Sequence, residues 1–422
     1  MTFKNYIFKN LWLQVVISLI IGLCVGLVLG DVGLGLDGDT LDSLSSYLKI
    51  PANIFLSVIL MIIVPLIFAS IVVAIANLGT KDKLKTLGIG ISIYFIITTT
   101  IAILVAIFLA SIIAPGNILD LTVLQETYDL SEDDLKVTEG FSFEDIPNAV
   151  SNIIPRNPIA SYLEGQMFSI LVMALIVGLS MAVLPKESVK PLLDLLESIQ
   201  KVTLHILLIS MKIVPFAVFG LIVGMVAKVG IGTIVGLGVY MGTVVLGLGV
   251  MLLVYALFLK FVAKRPISST FLKFRNPQTL AFSTASSMAT MPVTLKTAED
   301  DLKIDARVSK FVIPLGTTVN MDGTALYQVI AVFFLAQLFA IELSMISILV
   351  IIITSFLASI GTPAVPGAGV IILSTILITV GIPPVGILLL ISVDRILDMI
   401  RTMVNVTGDL TASCVFDKIT RD

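Results

Sequence analysis

Long apolar stretches separated by short charged segments dominate the chain. The apolar stretches cover residues 11–30, 50–80, 87–119, 165–185, 202–227, 229–259, 276–295, 311–341 and 343–393. They are uncharged except for Lys212 in the fifth stretch and Asp322 in the eighth. A helix needs about 20 apolar residues to cross a bilayer. The chain is 57% hydrophobic and only 13% charged, whereas soluble domains carry roughly 25% charged residues. The pattern predicts an all-α polytopic membrane protein.

Charges in the loops predict how the first spans are oriented. Loop 31–42 holds four aspartates and no lysine or arginine, loop 81–85 holds three lysines, and loop 116–164 is acidic. Residues 186–201 hold three lysines, and residues 260–275 hold five lysines and arginines. Because basic loops stay in the cytoplasm, we expect six alternating spans in the cell (inner) membrane, with both chain termini cytoplasmic.

Two apolar segments do not fit simple spans. Residues 276–295 are rich in serine and threonine and have basic residues on both sides, so both ends are expected on the cytoplasmic side. Residues 343–393 are too long for one span and are broken by GTPAVPGAG at 361–369. Each segment is predicted to form a re-entrant helical hairpin, in opposite orientations. Such inverted repeats place substrate and ions near the bilayer midplane.

Polar side chains form one stripe on the last predicted helix. Asp398, Arg401, Thr402, Asn405 and Asp409 follow one another at steps of three or four residues, which places them on one helix face. Charges inside a membrane are costly and are kept mainly for function. A guanidinium beside carboxylates predicts a path for a charged solute and an ion.

Four motifs resemble one family in order and spacing. They are the serine pair 286–287, NMDGT at 320–324, GTPAVPGAG at 361–369 and DMIRTMVNVTGD at 398–409. Together they are similar to the glutamate/aspartate transporters, the dicarboxylate/amino acid:cation symporters, over essentially the whole chain. The resemblance implies a transporter rather than an enzyme: a homotrimer with eight transmembrane helices, two re-entrant hairpins and an elevator mechanism.

The resemblance also divides the chain into a static scaffold and a moving transport domain. The expected boundaries are scaffold helices 1–2 at 1–85, transport helix 3 at 86–119, the acidic outer loop with scaffold helices 4–5 at 120–228, transport helix 6 at 229–260, hairpin 1 at 270–310, broken helix 7 at 311–341, the gating hairpin 2 at 343–384 and helix 8 at 385–416.

The resemblance implies the following substrate contacts. Arg401 would bind the substrate's side-chain carboxylate, and Asp398 would receive its ammonium group. The remaining expected contacts come from the polar groups of helices 7 and 8 and from the hairpin tips: Thr324, Thr402, Asn405, Ser286, Ser287, Val365 and Gly369.

Three sodium sites follow from the same resemblance, with protons as the alternative coupling ion and no other cofactor. The expected partners are an acidic amino acid, sodium, membrane lipid and further copies of the chain, without nucleic acid. The first site would use the Asp409 carboxylate with the carbonyls of Gly316, Asn320 and Asn405. The second would use backbone groups of Thr318, Met321, Ser359, Ile360 and Thr362. The third would use Asp322, the Asn320 side chain, Thr98 and Thr99. The threonine run that holds Thr98 and Thr99 has a second interpretation, in which its hydroxyls bond back to their own helix.

The chain departs from the family at several positions. Many members carry a second arginine near the site, where this chain has Ala285 and Met399. Asp398 is therefore expected to lack a second cationic neighbour, leaving Arg401 as the only cation of the binding face. Phe95 replaces an archaeal tyrosine beside the third ion site. Gln328 replaces a proton-carrying glutamate of the animal transporters, which argues against proton and potassium coupling of their kind.

Three other functions fit the sequence less well. An anion channel could also use a polar stripe, although the gate-like hairpins argue against it. An intramembrane aspartyl protease would need motifs that are missing around Asp322 and Asp409, because Met321 and Val406 occupy the deciding positions. A C4-dicarboxylate carrier would not need Asp398 to meet an ammonium group.

Overall fold

The computed structural model describes residues 11–30, 38–76, 82–119, 157, 159, 161, 167–229, 232–362, 364 and 366–421. These residues contain α-helices, short 3-10 and π segments, and no β-strand, so the all-α prediction is confirmed. The α-helices are α1 (Leu11–Leu29), α2 (Gly38–Ala76), α3 (Asp82–Ile113), α4 (Met167–Val183), α5 (Lys186–Ser210), α6 (Val214–Val229), α7 (Gly232–Leu257), α8 (Ile267–Thr284), α9 (Ser287–Lys296), α10 (Ala306–Val319), α11 (Asp322–Leu338), α12 (Met345–Gly361), α13 (Ala368–Thr379) and α14 (Ile387–Arg421).

The helices pack as two sets. In the first set, α6 packs along α1 and α2, and α2 also contacts α4 and α5. Small residues allow this close approach: a Cβ added at Gly26 of α1 would lie 2.7 Å from the Cβ of Val226. Helices of membrane proteins commonly meet at such small residues. The second set, α3 and α7–α14, is organised around α14 and α11.

The second set surrounds two helices almost completely. Every residue of α11 except Gln337 is buried, including its polar N-terminal residues. Helix α14 packs chiefly against α7, α8, α10 and α11. A helix that is apolar on most sides is stable when protein or lipid surrounds it, and here the burial of α11 and α14 shows that protein does. The polar groups that α11 and α14 carry therefore face protein, and they need partners there.

Other helices carry apolar side chains on the outside. Ile93, Ile97, Leu104, Phe108 and Ile112 form an exposed stripe along α3. Soluble proteins rarely expose so long an apolar surface. Within the described residues, three helical segments are long and apolar enough to cross a membrane, at Ile89–Ile118, Val235–Val262 and Ala306–Leu338. The chain is thus built as a membrane protein, while the count of eight spans stays a prediction.

Three helix interruptions bring backbone and side-chain groups together. The first is the turn between α8 and α9 at Ala285 and Ser286, and the second separates α10 from α11 at Asn320 and Met321. The third lies between α12 and α13, where Thr362, Ala364, Pro366 and Gly367 are described. Interrupted helices leave backbone N–H and C=O groups without intrahelical partners, so these positions can bind ligands or one another.

An ionic cluster fixes the C-terminal end of α14. The Asp417 carboxylate lies 3.1 Å from Arg265 Nη2 and 3.0 Å from Arg421 Nη2, and it accepts a hydrogen bond from the Asp305 backbone N–H. Asp305 in turn caps α10 and pairs with Arg307. The hydrogen bonds from Arg307 lower the pKa of the Asp305 carboxyl to about 2. Helix α14 extends beyond the predicted end at 416 because this cluster holds its last turn.

Candidate binding site

The turn between α8 and α9 carries the serine pair. Ala285 adopts a left-handed conformation with φ 51° and ends α8. Ser286 then caps α9, and its Oγ accepts a hydrogen bond from the Ala289 N–H at 3.2 Å. The same Oγ donates to the carbonyl of Ala364, 2.8 Å away in the break between α12 and α13. Ser286 and its buried neighbour Ser287 thus lie where two helix interruptions meet.

The break between α12 and α13 closes over α14. Gly367 caps α13 with φ 79°, a conformation that favours glycine. Its N–H donates a hydrogen bond of 3.0 Å to Asp398 Oδ2. A Cβ at Gly369 would lie 2.9 Å from Arg401 Nη2, so the α13 backbone approaches the guanidinium directly. Val365, which is predicted to contact the substrate, lies outside the described residues.

Four charged side chains on α14 form an alternating chain. Arg401 Nη1 lies 3.1 Å from Asp394 Oδ1, and Arg401 Nη2 donates to Asp398 Oδ1 at 2.8 Å. Arg395 Nη1 lies 3.7 Å from Asp398 Oδ2. The expectation that Asp398 lacks a second cationic neighbour is therefore wrong. The second guanidinium comes from Arg395, three residues earlier on the same helix, instead of from position 285 or 399.

The Arg401 side chain is enclosed from several sides. Its side chain is only 1% exposed. The guanidinium carbon lies 3.8 Å from the centre of the Tyr327 ring, a cation–π contact that stabilises a desolvated cation. Nε and Nη1 make no hydrogen bond within the described part of the chain. Arg401 is thus held by two carboxylates and an aromatic ring, and it keeps donors for a further acceptor.

The polar side chains one turn further along α14 lie at the start of α11. Asn405 Oδ1 accepts a hydrogen bond from the Gly323 N–H at 2.8 Å, and Asn405 Nδ2 donates to Thr324 Oγ1 at 3.3 Å. The Thr402 hydroxyl bonds to the Asp398 carbonyl of its own helix. The structure therefore brings Thr324, Asn405, Thr402 and the Asp398–Arg401 pair together.

The residues of the first predicted ion site are adjacent. Asp409 Oδ1 accepts a hydrogen bond of 2.8 Å from Asn320 Nδ2, which also lies 3.3 Å from the Asn405 carbonyl. The Asp409 carboxylate occupies the space that a Cβ at Gly316 would need. Asn320 Oδ1 is buried and has no hydrogen-bond donor among the described residues. A buried carboxylate beside the unpartnered amide oxygen of Asn320 matches the hard oxygen ligands that cations such as sodium take.

The Asp322 carboxylate has two hydroxyl donors. Thr99 Oγ1 donates to Asp322 Oδ1 at 2.7 Å, and Tyr255 donates to Asp322 Oδ2 at 2.8 Å. Asp322 opens α11, where the helix dipole favours a negative charge. Thr98 instead bonds to the Phe95 carbonyl of its own helix. Within the threonine run, Thr98 and Thr100 bond back to their own helix, whereas Thr99 contacts Asp322. The third ion site stays a prediction.

The second predicted ion site draws on backbone groups of α10, of α12 and of the breaks beside them. The hydroxyls of Thr318 and Thr362 bond to carbonyls of their own helices. Ser359 Oγ is buried and has no partner among the described residues. The helices α10 and α12 contact each other. This site stays a prediction.

The sequence analysis did not predict several contacts that the structure shows at this site. Asp394 is seven residues before Arg401, and this spacing places it on the same helix face, so the signal was present. Arg395 precedes Asp398 by three residues and carries the same kind of signal. Tyr327 and Tyr255 gave no such signal, because their contacts depend on how α11 and α7 pack against α14 and the start of α11.

Nearly the whole chain is similar to proteins of one known family. The model of the sodium:dicarboxylate symporter family matches residues 11–419. The chain belongs to this family. It is similar to the proton/sodium-glutamate symport protein of Bacillus subtilis, with 31% identity over 95% of this chain and 91% of the relative. The proton/glutamate-aspartate symporter of Escherichia coli is 33% identical over 98% of this chain and 94% of its own.

Animal relatives extend the similarity. Excitatory amino acid transporter 3 of Homo sapiens is 29% identical over 98% of this chain and 86% of its own length. The resemblance inferred from the four motifs is confirmed. The members of the matched family are symporters, so the α14 cluster lies in a transporter.

Proposed function

We propose that this protein is a secondary active transporter that carries an acidic amino acid, L-aspartate or L-glutamate, together with a cation, which we take to be sodium. The observation that carries the proposal is the buried Arg401, which lies directly under the α13 backbone and beside Asp398. A planar guanidinium suits bidentate recognition of a carboxylate. The names of the bacterial relatives support an acidic amino acid as the solute.

The substrate groups are assigned by charge. The side-chain carboxylate would bind Arg401, whose Nε and Nη1 have no hydrogen-bond partner in the described chain. The ammonium group would bind Asp398. The α-carboxylate would lie near the N-termini of α9 and α13, where helix dipoles favour anions. A C4-dicarboxylate has no ammonium group and would leave Asp398 without this partner, so an amino acid is preferred.

The proposal of sodium coupling rests on two carboxylates, Asp409 and Asp322, that lie apart from the groups assigned to the substrate. Asp409 lies beside Asn320, and Asp322 beside Thr99, so each is surrounded by oxygen and amide groups. The relatives include symporters named for both protons and sodium. Protons are thus the alternative driver, and binding experiments must separate the two.

Titration calorimetry of the purified protein tests this function. We expect L-aspartate to bind at least about tenfold more tightly in sodium chloride than in choline chloride, because linkage requires ion and substrate to strengthen each other equally. L-glutamate, titrated in parallel, fixes the preference between the two. Equal affinity in both salts would contradict sodium coupling at the binding step. Accumulation of aspartate in vesicles against its own gradient separates a symporter from an anion channel.

The assembly is proposed to be a homotrimer that works by an elevator mechanism. The first helix set, α1, α2 and α4–α6, would be the scaffold, and the second set would move with the substrate. Packing supports this division, because α14 and α11 are enclosed chiefly by their own set. The native mass in detergent should equal three chains of 45.2 kDa plus bound detergent. A monomer would contradict the trimer, and a fixed distance between α2 and α11 in all ligand states would contradict the elevator.

A further inference from the structure

Arg395 is a second buried guanidinium whose role the proposed function leaves open. Its side chain is 7% exposed, and it pairs with the Asp398 carboxylate, whose Oδ2 lies 3.7 Å from Nη1. Neither Nε nor Nη1 makes a hydrogen bond within the described chain. Buried polar groups are nearly always hydrogen-bonded, and the exceptions call for an explanation. A structural ion pair alone leaves these donors unexplained.

The charges of the α14 cluster balance only when Arg395 is included. Asp394 and Asp398 contribute two negative charges, and Arg401 and Arg395 contribute two positive charges. Without Arg395 the buried cluster would carry one net negative charge. An acidic amino acid brings a further net negative charge, whereas its neutral amide analogue brings none. The balance therefore discriminates between substrates by their net charge.

We propose that Arg395 is a specificity-determining residue, which offsets Asp398 and so allows the site to accept a net-negative amino acid. This inference rests on the proposed function. Its geometric basis is that the two oxygens of Asp398 have different partners. Oδ1 accepts a hydrogen bond from Arg401, whereas Oδ2 accepts one from the Gly367 N–H and faces Arg395. Because Arg395 shares the charge of Asp398, Arg401 remains able to bind the substrate carboxylate.

Arg395 acts on the substrate through this cluster and is a positioning residue. A purely structural role would make a different prediction, since loss of the fold weakens every ligand alike. The discriminating measurement is therefore a ratio of affinities for two ligands of one shape and different charge. L-Aspartate and L-asparagine form such a pair, because the amide replaces one carboxylate oxygen and removes the charge.

The experiment compares wild type with Arg395→Met and Arg395→Lys in competition binding against labelled L-aspartate in sodium chloride. Arg395→Met should weaken L-aspartate binding at least about tenfold, because the loss of a nearby unit charge is poorly screened inside the protein. L-Asparagine should change less than about threefold. Arg395→Lys restores the charge and should retain most of the preference for aspartate.

Arg265→Met is the matched control. Arg265 is also a partly buried arginine paired with an aspartate of α14, but its partner is Asp417, far from the cluster. This variant should leave the ratio of the two affinities unchanged, even if its melting temperature falls. Equal weakening of both ligands in Arg395→Met, or no change in either, would overturn the role of Arg395. A wild-type protein that binds neither ligand would be a separate result, which contradicts the proposed function itself and the role of Arg395 with it.

Discussion

Arg401→Ala should abolish most of the affinity for L-aspartate and leave L-serine binding much less affected. The guanidinium is nearly inaccessible and lies against the Tyr327 ring, so a substrate carboxylate that meets it is desolvated. Removing one partner of a buried charged pair costs about 2–5 kcal/mol, which is roughly 30-fold to several thousand-fold in affinity. Serine has no side-chain carboxylate and does not need the guanidinium. Competitive binding of both amino acids measures the difference.

The same substitution also affects the protein without ligand. Arg401 is the partner of Asp394 and Asp398. Its loss leaves two buried carboxylates, for which Arg395 is the remaining paired guanidinium among the described residues. A thermal melt must accompany the binding data for this reason. Arg401→Lys is the matched variant, because it keeps the charge and loses the planar fork. Its aspartate affinity should lie between those of wild type and Arg401→Ala. An equal loss of serine and aspartate binding would mean that Arg401 supports the fold alone.

Where one helix carries the information, the sequence predicted which side chains lie together. One face of α14 carries a polar stripe, and every member of it is buried in the structure: Asp398, Arg401, Thr402, Asn405 and Asp409. Helical periodicity fixes which residues share a face before any packing is known. The motif NMDGT likewise contains the break between α10 and α11, because Asn320 and Met321 both leave the helical conformation.

Contacts between distant segments could not be predicted in the same way. Tyr255 and Asp322 are 67 residues apart, and they meet only because α7 packs beside the start of α11. The threonine run illustrates the limit within one helix. Thr99 faces Asp322, while Thr98 bonds to its own backbone, and the rotation of α3 that decides between them is set by tertiary packing.

The mistaken expectation at Asp398 has a similar cause. Positions 285 and 399 hold no arginine, and this suggested a site with one cation. A guanidinium has a long side chain, so it can reach the same carboxylate from position 395 as well, one turn away on α14. The requirement for a second positive charge is physical and belongs to the cluster, whereas the position that supplies it can change.

Asp409→Asn should raise the sodium concentration needed for half-maximal L-aspartate binding by at least about tenfold. Asparagine keeps the size of the side chain, and its Oδ1 can still accept the hydrogen bond from Asn320 Nδ2, so the local geometry is preserved while the negative charge is lost. A cation in a buried site depends strongly on such a charge, because the surrounding protein screens it far less than water does. Aspartate affinity at saturating sodium should change much less than the sodium midpoint, since the substrate groups are assigned to Asp398 and Arg401, two to three turns away.

Asp417→Asn is the control on the same helix. Asp417 is also a buried carboxylate, but its partners are Arg265, Arg421 and the Asp305 backbone. Its neutralisation should lower the melting temperature and leave the sodium midpoint where it is. If Asp409→Asn and Asp417→Asn shift the midpoint equally, the carboxylate at 409 acts through stability and the cation lies elsewhere. If neither variant shifts the sodium midpoint, and acidification raises the affinity for L-aspartate in both sodium chloride and choline chloride, protons take the place of sodium. The midpoint therefore connects one oxygen cluster at the α10–α11 break to the ion that drives transport.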